Sequence, residues 1–191
     1  MAPPPSGKTF EVVDVLDLFR KLEWEWDRMR AVSLHDSGIE RSYLALNAAM
    51  TAWHMTDWLC ARFEAEHYKR LSSHASIPID NCKVFRKWVL ENRFVSMCEQ
   101  IAVAGKHFQV DVRPHAVTTK AQSIDSPFPK SPRPLNYLMV KDQDAVVPID
   151  AVIGFAIAFW RMVLVGTGLA EEHEVKYPMP PRTDTAHKAN R

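Results

Sequence analysis

From Phe10 to about Arg30 the apolar residues Val12, Leu16, Phe19, Leu22, Trp26 and Met29 recur every three or four positions, the spacing of one helical face. Glu11, Asp14, Asp17, Lys21, Glu25 and Arg28 fall opposite and predict a solvated side. The stretch SLHDSGI reads as a connection, with Asp36 or Ser37 capping the next helix. That helix is predicted from about Glu40 to Arg70, a span without Gly or Pro. Its first two-thirds, YLALNAAMTAWHMTDWLC, is apolar nearly all round, which places it centrally with neighbours on several sides. LSSHASIPI then forms a loop, and Asp80 or Asn81 caps a third helix that continues to about His107, with a break near Asn92.

The period then changes from helical to alternating. Val110, Val112 and the VTT after His115 alternate as a strand does, and LNYLMV and AVVPI flank KDQD as the arms of a β-hairpin. Between them DSPFPKSPRP, with four prolines in ten residues, is an extended loop. Asp150 is the predicted cap of a last, very apolar helix, AVIGFAIAFWRMVLV, ended by Gly166 or Gly168. The fold class is mainly α: a four- to five-helix bundle with a small β-hairpin insertion before the last helix. Residues 1–9 are expected to be a disordered tail, 10–169 a single domain with its β insertion at about 109–149, and 170–191 a flexible tail.

Composition narrows the function classes. Among 191 residues, 24 Lys and Arg against 23 Asp and Glu leave a formal net charge of +1, which excludes coating nucleic acid by bulk electrostatics. The run from Ala151 to Trp160 stops at Arg161, short of the roughly 20 apolar residues a membrane span needs, so a buried helix and no membrane partner are expected. Cys60, Cys82 and Cys98 are odd in number and lack CxxC spacing. This argues against a disulfide framework and for a cytoplasmic location. Trp24 and Trp26 cannot both face one way, so one of them is expected at the surface.

Asn47, Thr51, His54 and Asp57, spaced by four, three and three, form a polar stripe on the second helix. Buried beside Tyr43, Met50, Trp53 and Trp58, such groups need partners, because each unsatisfied one costs about 1–3 kcal/mol. Arg93, Ser96, Gln100 and His107 make a second stripe on the third helix. Three readings follow. A hydrogen-bonded network has Asp57 orienting His54; a metal site uses His54, Asp57 and His107; an acid–base centre uses His54, Asp57 and His107 with Asn47, Arg93 and Lys106 on the substrate. The third reading calls for RNA or a nucleotide and no cofactor. The excess of Lys and Arg over residues 62–93, seven against four, suits such a polyanion.

The helix RSYLALNAAMTAWHMTDWLCARF, the GKH closing the third helix and the all-helical size resemble HEPN-like domains. It also resembles small uncharacterised bacterial or phage proteins with a WHxxDW helix and a later KH. The HEPN resemblance implies a bundle that is commonly dimeric and a ribonuclease of toxin–antitoxin or phage-defence systems. The family motif is an Arg followed four to six residues later by His, which here fits Arg62 and His67, with Phe63 departing from the usual polar residue after the Arg. On one continuous helix these two side chains diverge by about 140°, so they converge only where the helix ends between them or a dimer mate completes the site. The competing class is a non-enzymatic interaction protein whose exposed tryptophans and proline-rich loop bind a partner, and the bundle is expected to self-associate in either case.

Overall fold

In a computed structural model describing residues 11–35, 38–106, 117–124, 135–143 and 145–175, the first helix, α1 (Val15–Ala31), starts at a reciprocal cap. The Asp17 N–H donates to Asp14 Oδ1 at 2.8 Å and the Asp14 N–H donates back to Asp17 Oδ2 at 3.3 Å. This arrangement satisfies two backbone donors that a helix start leaves open. Helix α1 buries Phe19, Leu22 and Met29 as its spacing predicts, adds Val15 and Leu18 to that face, and leaves Leu16 and Trp26 half-buried, like Val12 ahead of it. Its supposed solvated side is only partly so. Glu25 is buried, and Lys21 Nζ joins it to Thr51 of the next helix.

Helix α2 (Gly38–Arg62) ends earlier than predicted, and a separate α3 (Ala65–Ala75) follows. No Gly or Pro marks the break; the chain simply turns extended at Glu64, φ −109° and ψ 173°. Helix α4 (Cys82–Glu91) is capped by Asn81, whose Oδ1 accepts the Val84 N–H at 3.0 Å. At the expected break Asn92 closes α4 and its Oδ1 caps α5 (Arg93–Lys106), accepting from Phe94 and Val95. An antiparallel meander follows: β1 (Val117–Ile124), β2 (Leu135–Asp142) and β3 (Ala145–Pro148), in the order β1-β2-β3. The predicted hairpin is β2–β3, and β1 reaches further toward its C-terminus than the VTT segment suggested. Asp36, Ser37, the strand start at Val110 and Val112, the proline-rich loop and both tails lie outside the described residues.

Helix α6 (Ile149–Thr167) takes Pro148 as its cap residue, so Asp150 sits inside the first turn rather than before it. It ends at Gly168, whose φ of +76° favours glycine; a Cβ there would also crowd Arg70 Nη1. The core joins α1, α2, α5 and α6, with Phe19, Met55, Leu59, Met97 and Trp160 nearly or fully enclosed. Polar anchors run through it. Glu23 accepts from Arg161 at 2.8 Å, and Arg41, only 3% exposed, reaches Asp150 at 3.7 Å and the Asn136 carbonyl at 3.5 Å. Trp26 donates its indole N–H to the Asp150 carbonyl at 2.8 Å, leaving Trp24 as the exposed member of the pair.

Candidate functional site

The buried stripe of α2 consists of Arg41, Ala45, Ala48, Ala49, Thr51, Ala52, Met55, Thr56 and Leu59. Its alanines let α1 and α5 approach closely. The opposite side of the same helix carries Asn47, His54 and Asp57, all exposed. The expectation of a buried polar centre is therefore corrected: of the four stripe residues only Thr51 is buried, and it is satisfied by Lys21. Bulky Trp53 and Trp58 mark the flanks of the helix, half-buried, rather than its inner face.

The expected pairings also differ. Asp57 does not orient His54; its Oδ1 accepts from Arg86 Nη2 at 2.7 Å, both side chains being about half exposed (51% and 50%). Arg93 spends its Nε on Asp142 at 2.8 Å, tying α5 to the β2–β3 turn at a shallow cleft shared with Gln143 and Ala145. Gln100 accepts the Val117 N–H at 3.2 Å. His107 lies outside the described residues, as does the side chain of Lys106.

Where Lys106 ends can still be read from the backbone. Cys82 lies against Cys60, Arg86 against Asp57, and Gln100, Ile101 and Ala104 share a cleft with Leu46. Helices α4 and α5 thus retrace α2 backwards. The C-terminus of α5 passes Leu46 toward Tyr43, while His54 stands about 12 Å further along in the other direction. Among the described residues no three His, Cys, Asp or Glu side chains are grouped to hold a metal.

The corner between α2 and α3 is different. Arg62 is the last residue of α2 and His67 lies in the first turn of α3, so the helix does end between them. The Glu64 N–H donates to His67 Nδ1 at 3.0 Å, and the imidazole stacks on Phe63 with centroids 5.8 Å apart and planes 9° apart. With Nδ1 accepting, Nε2 is the nitrogen left to meet a ligand. Phe63, the departure from the family motif, is the residue that packs this corner, against Phe85 and Tyr68 as well as His67. Burial raises the Tyr68 phenol above its ordinary value. Nothing in the sequence signalled that the histidine would serve as its own helix cap.

One covalent feature corrects the sequence reading outright. Cys60 and Cys82 form a disulfide with Cα atoms 5.2 Å apart. The spacing of 22 residues hid it, because only the α2–α3–α4 turn brings the two together. Cys98 is fully buried, and desolvation pushes its thiol up to about 12.

The outer face of α6 is the remaining anomaly. Phe155, Ala158 and Val165 are exposed and Met162 is half-buried, with Phe155 stacked on Phe94 at 4.4 Å. By length and hydropathy this helix is apolar enough to cross a membrane. No protein-family model, no curated protein and no solved structure matches the chain.

Proposed function

We propose that the protein is a non-enzymatic interaction module whose working unit is two copies paired along the outer face of α6. The observation that supports this is the exposed apolar stripe Phe155, Ala158, Met162 and Val165, spaced three, four and three. That spacing is the seam along which helices pair. Two copies crossing antiparallel about a dyad near position 160 set Phe155 opposite Val165 and Ala158 opposite Met162, a larger group against a smaller one at each level. The stripe carries no charge, so identical faces meet without repulsion. Light scattering on the purified chain tests it: the native protein runs with the mass of two chains, and Ala158→Glu runs as one with its circular dichroism unchanged. A monomeric native protein overturns the reading, as does a monomer that binds vesicles of zwitterionic lipid through this face.

A second reading, HEPN-like cleavage of RNA or a nucleotide in a toxin or phage-defence setting, is supported by the α2–α3 corner. Here Arg62 and the Nε2–H of His67, the tautomer fixed by the accepting Nδ1, hold the phosphate beside the bond to be cleaved. The helix break between them meets one condition for the two side chains to converge. Incubation with single-stranded RNA decides it: cleavage by the native chain that disappears in both Arg62→Ala and His67→Ala sustains the reading, and intact RNA ends it. The centre reasoned around His54 and Asp57, with Asn47 and Arg93, loses its expected burial, while His107 and the Lys106 side chain lie outside the described residues.

A further inference from the structure

We infer that Cys60 and Cys82 are a reversible thiol–disulfide pair that a dithiol reductant opens in the folded protein, releasing the α2–α3 corner while the helical core stays intact. The inference stands apart from both functional readings above. Three observations carry it.

The first is access. Both bridged cysteines are only half-buried, whereas Cys98 is fully enclosed. The second is the setting of Cys82, the first residue of α4. The first turn of α4 holds no acidic residue and includes Lys83; Arg86, four residues on, shares the Cys82 side of the helix even while it pairs with Asp57. The positive helix end and these cations favour the thiolate that Cys82 becomes when the bond breaks, which makes it the better leaving group. The third is what the bridge encloses. Between the cysteines lie Arg62, Phe63, His67 and all of α3, and of the residues enclosed only Phe63, Leu71 and Ile79 are buried. A segment with so few buried side chains opens locally at low free energy once its cross-link is gone.

The exchange is balanced. One thiolate of the dithiol attacks Cys60 Sγ, forming a mixed disulfide and expelling Cys82 as thiolate, which takes up a proton. The second thiol of the reductant then attacks its own sulfur in that mixed disulfide and frees Cys60. Two electrons and two protons pass to the protein, and the reductant leaves as a cyclic disulfide.

Differential alkylation with peptide mapping on the full chain, using dithiothreitol as the probe, tests this. Protein purified in air takes up no alkylating agent at any cysteine. After dithiothreitol without denaturant, Cys60 and Cys82 are labelled and Cys98 is not. In the reduced protein trypsin cuts after Arg62, Lys69 and Arg70 about tenfold faster, with the far-UV circular dichroism retained, and reoxidation restores protection. The variant carrying Cys60→Ser and Cys82→Ser cuts at the reduced rate with or without dithiothreitol. Free Cys60 and Cys82 in the air-purified protein overturn the inference. So do resistance to dithiothreitol in the folded state, loss of the bundle's circular dichroism on reduction, and a double variant that still responds to the reductant.

Discussion

Helices α2 and α6 have nearly the same story in sequence and opposite ones in space. Both read as apolar on most sides. In α2 the polar residues that interrupt the pattern, Asn47, His54 and Asp57, lie on the outside, and the inner stripe is mainly alanine. In α6 the inner stripe holds Val152, Ile153, Ala156, Trp160, Val163 and Leu164, and the outside stays apolar. In α2 the exposed members of the polar stripe mark the side that faces water, while Thr51 turns inward to Lys21. The helix lacking such residues on its open side is the one whose exposure calls for explanation.

The sharpest test of this contrast uses neighbours on α6. Leu164 is fully buried and Val165 is 36% exposed. Leu164→Ala should lower the unfolding free energy by about 2–5 kcal/mol through lost burial and a cavity. Val165→Ala should change monomer stability by only about 0.5 kcal/mol. Urea unfolding of both variants below the pairing concentration checks it, and equal losses would erase the distinction between the two faces. Across helices, Ala52→Leu should cost about 1–3 kcal/mol by overpacking the seam of α2, whereas Ala158→Leu should leave the fold unchanged.

A smaller effect comes from the anchors beneath α6. Burial raises the Glu23 carboxyl above 4.5, against the opposing pull of its hydrogen bond from Arg161, and burial raises Asp27 in the same direction. A carboxyl with a raised folded pKa binds its proton more tightly in the native state, so its contribution to stability falls as pH rises from 4.5 through that folded value. Glu23→Gln should remove part of this slope. Urea midpoints of the two proteins measured from acid to neutral pH should diverge, with the native chain losing ground as pH rises; parallel curves would show that Glu23 does not titrate differently on folding. The smallest expected effect belongs to the residues that looked most chemical. Asn47→Ala and His54→Ala should each shift stability by about 0.5 kcal/mol or less, since neither side chain is enclosed.

Local signals were legible. The mainly helical class, the Asn92 break, a cap at Asp80 or Asn81, the β2–β3 hairpin and the exposure of one of Trp24 and Trp26 followed from spacing and cap chemistry. What escaped depends on tertiary contact. The inner face of α2 was misjudged because its packing residues are small while its large aromatics sit on the flanks, so bulk pointed the wrong way. The turn at Glu64 has no Gly or Pro to announce it, and the Cys60–Cys82 pair follows from that turn. The Arg62–His67 spacing was visible and its geometric condition could be stated. The imidazole that caps α3 could not, since a histidine in the first turn carries no such preference.

The small sheet has two free edges among the described residues, and both are poor templates for strand addition. Edge strand β3 is four residues long and ends in Pro148, which has no N–H to offer. Edge strand β1 carries Lys120 between exposed Thr119 and Ala121, a charge that a growing ladder would have to desolvate. The meander is thus closed to templated aggregation from either side, even though it supplies eight-residue strands rich in β-formers. Encounters between folded copies are left to surfaces whose backbone groups are already satisfied within the helix, where contact depends on side-chain shape and can be reversed.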